Sequence, residues 1–313
     1  MRAVAVTEFG AEPQVMDLPQ PEPGPGEVLV RVAVAALNPL DWKIADGMLR
    51  DAVPHAFPLV LGVDGAGEVV AVGPGADRYA LGDRVFGQFM RLGAGGGSYA
   101  DFAATAEEAV APAPSRATLM TAAALPTAGM TAWNLVEEAG VREGDRVLIV
   151  GATGGVGTFA TQFAAGRGAE VIVTARPGAA VLMCDLGAAE TIDHSHGRIA
   201  DQVLSAHPEG VDIVIDLVHD AAALTDLARI VRSGGTVAST IGAADAAALE
   251  LHGVRALNAQ NSPSSALLST LATEIDEGRL TVLIGHETTL EEAPAALAAS
   301  RSGRARGKTV IRV

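Results

Sequence analysis

An α/β fold built on a parallel sheet is predicted by three features of this 313-residue chain. The first third is rich in short β-branched runs. After about Leu119, strand and helix patterns alternate. Within that alternation a glycine-dense loop, "GATGGVG" at 151–157, sits between a strand and a helix.

The elements follow in order. "MRAVAV", "EVLVRVAVAAL", "GEVVAVG" and "DRVFG" read as strands punctuated by Gly, Pro and Asp, with "PQPEPGPGE" as a stiff connection between the first two. "RVLIV" (146–150) is a short buried strand, "GVGTFATQFAAGRG" a helix with a glycine stop, and "EVIVTAR" (170–176) the next strand. A helix through "AAVLMCDLG", a strand near "ETID", a helix near "RIADQVLSAH", the strand "VDIVIDLV", the helix "AALTDLARIV" and the strand "GGTVAST" continue the pattern. Such alternation implies crossover connections and a parallel sheet buried on both faces. Past Gly253 the pattern loosens to a helix near "PSSALLSTLATEI" and a closing strand, "KTVIRV".

Composition narrows the function. Hydrophobic residues make up 49% of the chain, enough for a sizeable core. A formal net charge of −15 argues against a nucleic-acid partner, which needs basic patches. The single cysteine, Cys184, excludes an intrachain disulfide and a four-cysteine zinc lobe; following "AAVLM", it reads as a buried structural thiol. Residues 117–136 carry no charge and approach the length of a membrane span, but Pro126 and Gly129 interrupt them. They read as two short buried helical pieces, so no membrane partner is expected. "MRAVAVTEFG" has no long apolar core of a signal peptide, and a cytoplasmic location is expected.

Two glycine-rich stretches compete as phosphate loops. A phosphate loop must follow a strand and open a helix, so that backbone N–H groups and the helix dipole face the anion. "RVLIV-GATGGVG-TFATQFAA" does so, with Gly151, Gly154 and Gly157 for the tight turn, the pyrophosphate approach and helix–strand packing. Thr153, Gly155 and Val156 complete the loop. "LGVDGAGEVVAVG" (61–73) fails the test: its glycines lie before a strand and no helix follows, so they serve tight bends. The next strand of the first loop ends in Thr174, Ala175 and Arg176, without the carboxylate that an NAD ribose diol requires. Arg176 suits a 2′-phosphate, which makes NADPH the expected cofactor; the alternative is an ordinary surface arginine.

With these residues in view, the chain resembles the medium-chain dehydrogenase/reductase superfamily over nearly its full length. The marks are "ALNPLDWK", "FPLVLGVDGAGEVVAVG", "LGDRVFG", "LPTAGMTAW", "GATGGVG" and "GKTVIRV", in that order. The nearest branch is the zinc-free quinone oxidoreductase and enone (enoyl) reductase group. The resemblance implies a doubly wound Rossmann cofactor domain, 117–253, inserted in a β-rich GroES-like catalytic domain, 1–116 plus 254–313. In zinc alcohol dehydrogenases the stretch like "LGVDGAGEV" reads Gly-His-Glu, and the His binds zinc. Val63 and Asp64 stand at those two places here, and "LNPLD" stands where a zinc enzyme has a cysteine ligand. No metal is therefore expected.

The resemblance also implies roles. Hydride transfer without metal leaves charge on a substrate oxygen that hydrogen-bond donors must stabilise. The "NPLDWK" loop is placed at that cleft: Asn38 would donate through its amide, and Asp41 would orient the loop. Lys43 would stabilise the oxyanion or supply a proton, the alternative being a solvated surface lysine. Thr127 and Thr131 resemble positions near the nicotinamide, the alternative being helix capping. His194 stands where relatives have a tyrosine near the 2′-phosphate. Leu217, Ile241 and Lys308 complete the expected cofactor contacts. The loop 87–99 and Trp42 are expected to shape a pocket for a small carbonyl or quinone substrate, and a homodimer is compatible with the family. "HSH" at 194–196 lacks the cluster a metal needs. Tyr79 and Tyr99 have no lysine four residues on, as a short-chain dehydrogenase requires, and no Gly-x-Ser-x-Gly elbow is present. A reductase dedicated to one biosynthetic enoyl or ketone intermediate, and a non-catalytic NADPH-binding protein, remain as alternatives.

Overall fold

The computed structural model describes residues 1–259, 264–302 and 307–313. The chain divides into two compact units, Met1–Thr127 with Ser262–Val313, and Ala128–Asn261. In chain order the first unit opens with β1 (Arg2–Val6), β2 (Gln14–Asp17), β3 (Glu27–Leu37), α1 (Pro39–Ala45), β4 (Leu59–Val60), β5 (Asp64–Val72), β6 (Arg84–Gln88), β7 (Phe102–Ala106), β8 (Val110–Pro112) and α2 (Leu119–Ala123). After α3 (Pro126–Ala139) come β9 (Arg146–Val150), α4 (Gly155–Gly166), β10 (Glu170–Thr174), α5 (Pro177–Asp185), β11 (Glu190–Ile192), α6 (Ile199–Ala206), β12 (Val211–Asp216), α7 (Ala221–Leu227), β13 (Val231–Ser239), α8 (Ala246–Glu250) and β14 (Arg255–Asn258). The first unit closes with α9 (Ser265–Asp276), β15 (Ile284–Thr289), α10 (Ala293–Arg301) and β16 (Lys308–Arg312).

The second unit is a six-stranded sheet in the order β11-β10-β9-β12-β13-β14, with every neighbour parallel. This is the doubly wound arrangement, whose order reverses between β9 and β12 and opens a binding crevice at the carboxyl ends of those strands. The first unit is β-rich: a seven-stranded sheet, β15-β16-β3-β5-β6-β8 with β7 also on β3, and a small sheet β2-β1-β4. Its core packs Val30, Val69, Val85, Phe89 and Ile311 around the long strand β3.

The second unit begins and ends later in the chain than the expected 117–253, for packing reasons. Helix α2 packs on β3, β5 and β6, so residues 117–127 go with the first unit. Strand β14 continues the parallel sheet from Thr236 opposite Arg255 to Ser239 opposite Asn258, which carries the second unit past Gly253. The uncharged stretch 117–136 does break at Pro126, into α2 and α3, and no described helix is long and apolar enough to cross a membrane.

Three further readings are corrected. The strand in "LGVDGAGEVVAVG" starts at Asp64, so Gly65 and Gly67 lie inside it, not before it. A Cβ at Gly67 would sit 2.0 Å from the Arg31 carbonyl oxygen, so glycine is what lets β5 lie against β3. Helix α7 stops at Leu227 and strand β13 already begins at Val231, inside the expected helix. Cys184 is exposed: α5 buries Met183 and Leu186, while Val181, Leu182 and Cys184 face outward. At 100° per residue an apolar run cannot send every side chain to one face of a helix.

Candidate active site

The phosphate loop begins where β9 ends. Gly151 takes φ +82, and its N–H donates to Thr174 Oγ1 at the end of β10 (3.0 Å). Gly154 caps α4, whose first turn holds Gly155, Val156 and Gly157. A Cβ at Gly157 would lie 2.5 Å from Ala152 Cα and 2.5 Å from the Gly151 carbonyl oxygen, both backbone. A Cβ at Gly151 would meet Val218 Cγ1 at 2.8 Å and Leu217 Cβ at 3.3 Å. The first-turn N–H groups of a helix have no partner within it and carry its positive dipole end. Backbone N–H groups at such a helix start suit an anion, and the neighbouring protein atoms leave no room for a side chain at Gly151 or Gly157.

Most of the residues expected around this loop follow the carboxyl ends of the strands, while Thr131 lies in α3. Arg176 caps α5, just past β10, and is exposed. Thr153, His194 and Ile241 are exposed, and Leu217 and Thr131 are half-buried. His196 is engaged locally, with Nδ1 2.6 Å from Asp193 Oδ2. Asp193 is pulled down to about 2, chiefly by its hydrogen bonds from Ser195. The sequence reading missed a second pair. Asp216, at the end of β12, is buried and accepts the N–H groups of Val218 and His219, with its other oxygen 2.7 Å from His219 Nδ1. The only signal was their spacing of three in "DLVH".

The "NPLDWK" loop belongs to the first unit and is built on buried polar groups. Pro39 opens α1, and Asp41 in its first turn takes the Asn38 N–H (2.7 Å), the Tyr99 hydroxyl (2.7 Å) and the Val63 N–H (2.9 Å). Asp41 is 1% exposed. Burial pushes its carboxyl up to about 6, against those hydrogen bonds, which favour the ionised form. Burial, and then the same carboxylate, push the Tyr99 phenol well above its ordinary value. Asp41 thus ties the start of α1 to Val63 and Tyr99.

Asn38 and Lys308 share one buried cluster. Asn38 Nδ2 donates to Asp64 Oδ2 (2.9 Å), and Asn38 Oδ1 accepts from Lys308 Nζ (2.7 Å), so both ends of the amide are engaged inside the unit. Lys308 is 4% exposed and also donates to the Leu37 carbonyl (3.2 Å), with Nζ 3.8 Å from Asp64 Oδ2. A buried ammonium must be paired, so it turns toward the buried carboxylate. Asp64 in turn accepts the Thr127 N–H (3.0 and 3.1 Å) and hydroxyl (2.6 Å). Thr127, which opens α3 after Pro126, is thus tied to a carboxylate at the helix start. Gln88 Nε2 donates to the same hydroxyl oxygen (2.7 Å). Burial raises Asp64 and lowers Lys308, and each charge opposes the other's shift.

Lys43 is half-buried, with Nζ 5.7 Å from the Trp42 ring centroid. The loop 87–99 contributes Gln88, Met90 and Arg91 to a cavity of about 330 Å³ that Glu27, Thr105 and Glu108 also line. The Trp42 ring has the Lys43 Nζ and the Arg301 guanidinium carbon each 5.7 Å from its centroid. Among the described residues no group of three or more His, Cys, Asp or Glu is arranged to hold a metal ion.

Comparison with known proteins agrees with this architecture. Residues 24–115 match the alcohol dehydrogenase GroES-like domain, and residues 186–311 match the zinc-binding dehydrogenase family. The chain is 31% identical to the quinone oxidoreductase of Rattus norvegicus, over 94% of this chain and 92% of that protein. It is 30% identical to the 2-methylene-furan-3-one reductase of Solanum lycopersicum, over 99% of this chain and 79% of that protein. A solved mycobacterial structure complexed with NADPH superposes over 100% of both chains, with a TM-score of 0.86 and 28% identity.

Proposed function

Because the chain belongs to the medium-chain dehydrogenase/reductase superfamily, as an oxidoreductase of the quinone oxidoreductase type that uses a nicotinamide cofactor, we propose that it is an NADPH-dependent reductase of quinones or activated C=C bonds, working without metal. The observation that carries the cofactor reading is the Gly151–Gly157 loop, which leads into the first turn of α4 and has no room for a side chain at Gly151 or Gly157. When bound there, NADPH supplies the hydride. The exposed Arg176 guanidinium holds the 2′-phosphate, with His194 beside it, and Thr153, Leu217, Ile241 and Thr131 complete the cofactor contacts.

The chain's own contribution to the chemistry is electrostatic. Negative charge gathers on the substrate oxygen as hydride arrives, and the Lys43 ammonium stabilises it or returns a proton to it. Asp41 orients the loop that carries Lys43. Asn38, with its amide engaged, supports that loop from below and does not donate to substrate. The test is NADPH consumption by the purified protein against a panel of quinones and enones. Turnover on several members supports the reading. Turnover confined to one enoyl or ketone compound points to a dedicated biosynthetic reductase. Tight NADPH binding with no consumption refutes an enzyme. Cytoplasmic residence is part of the same proposal, and fractionation of the native host tests it.

A further inference from the structure

We propose that Lys308 is a positioning residue: its buried ammonium, held between Asn38 and Asp64, locks the 38–43 loop and the start of α3 in the arrangement that the reaction uses. The inference rests on the functional reading above, in which Lys43 lies on that loop.

The argument starts from three side chains that are almost fully enclosed. Asp64 is 0% exposed, and Asn38 and Lys308 are 4% exposed. They come from the start of β5, the residue before α1, and the first residue of the closing strand β16. The Asn38 amide has two orientations, and the charges choose between them. As it stands, Oδ1 faces the ammonium and Nδ2 faces the carboxylate. Turned over, it would set N–H groups against the ammonium and oxygen against the carboxylate. The same carboxylate holds the start of α3 through the Thr127 N–H and hydroxyl. One cation therefore ties the closing strand to two segments that the chain brings together from far apart. Asp41, a second buried carboxylate that accepts the Asn38 backbone N–H, adds its charge to Asp64's in favouring the same ammonium. Without Lys308 the pocket would hold two carboxylates and no cation, and Asn38 Oδ1 would lose its donor. Such a pair is retained for the geometry it specifies more than for the stability it adds.

Lys308 Nζ is enclosed, hydrogen-bonded to Asn38 Oδ1 and the Leu37 carbonyl with Asp64 3.8 Å away, so its charge is directed inward and not to a cofactor. This separates a positioning role from a binding role. Lys308→Met is expected to lower turnover by about 10-fold to 10²-fold, the scale of a misplaced reacting group, with the NADPH dissociation constant unchanged. The double variant Lys308→Met/Asp64→Asn removes the uncompensated carboxylate. In it the Asn38 amide is free to turn and pair with the new amide at position 64, so most of the lost turnover and thermal stability should return. If Lys308→Met alone does not fold, recovery of the folded state in the double variant, read by near-ultraviolet circular dichroism, supports the same conclusion. A weakened NADPH dissociation constant in Lys308→Met, or a double variant no better than the single, would overturn it. If the wild-type protein consumes NADPH with none of the quinones or enones, the functional reading fails, while NADPH binding and unfolding midpoints of the two variants still decide the role of Lys308.

Discussion

Replacing Asp41 with Asn should make the stability of this protein respond differently to pH, and the direction follows from the structure. Asp41 accepts three hydrogen bonds, from the N–H groups of Asn38 and Val63 and from the Tyr99 hydroxyl. An asparagine offers one oxygen, so an N–H must face a buried donor, at a cost of ~1–3 kcal/mol. Against this stands the relief of a buried charge. Holding the carboxyl at about 6, where the ordinary value is 3.8, makes its ionised form ~3 kcal/mol less favourable in the folded chain than in the unfolded one. Between those two values the folded chain keeps a proton that the unfolded chain has shed. The contribution of the group is therefore fully present below about pH 4 and is lost as pH rises through about 6. The asparagine has no such dependence. The advantage of wild type over Asp41→Asn should be greatest near pH 4 and should shrink by ~3 kcal/mol by neutral pH. Urea unfolding midpoints of both proteins across this range measure it. A difference that stays constant with pH, or grows toward neutrality, would refute the account of Asp41 as a carboxyl whose charge is penalised by burial.

Four other outcomes are expected. Arg176→Ala should weaken NADPH far more than NADH, by the ~1.5–3 kcal/mol of a charge-assisted contact; titration with both cofactors checks this, and equal losses would remove Arg176 from the 2′-phosphate. Lys43→Met should lower turnover by about 10²–10³ with NADPH affinity nearly unchanged, as steady-state rates and a binding titration would reveal. Gly157→Ala should abolish cofactor binding or folding of the second unit, because its Cβ would stand 2.5 Å from backbone atoms of Gly151 and Ala152; calorimetry with NADPH reads both. Elemental analysis should find no stoichiometric zinc, and chelators should leave activity intact; one zinc per chain would overturn the reading of Val63 and Asp64.

The cofactor unit was legible in the sequence because its signals are local. A strand, a glycine loop and a helix follow one another in "RVLIV-GATGGVG-TFATQFAA", and each glycine acts on atoms within a few residues, as Gly157 does on Gly151 and Ala152. Alternating strand and helix patterns likewise determined a parallel sheet, since short crossovers leave few other topologies. The motifs "NPLD" and "LGVDGAG" identified the family and the absence of the zinc-ligand residue types at Val63 and Asp64. What those polar residues touch was decided only in three dimensions. Asp41 meets Tyr99 across 58 positions, and Asn38 meets Lys308 across 270, so no spacing rule could pair them. The outward face of Cys184 depended on which side of α5 meets the sheet, and the need for Gly67 depended on the approach of Arg31 from another strand. Hydrophobic pattern states that a segment is buried. Which polar groups share the interior is set by desolvation, because each buried charge must find its partner wherever the fold delivers one.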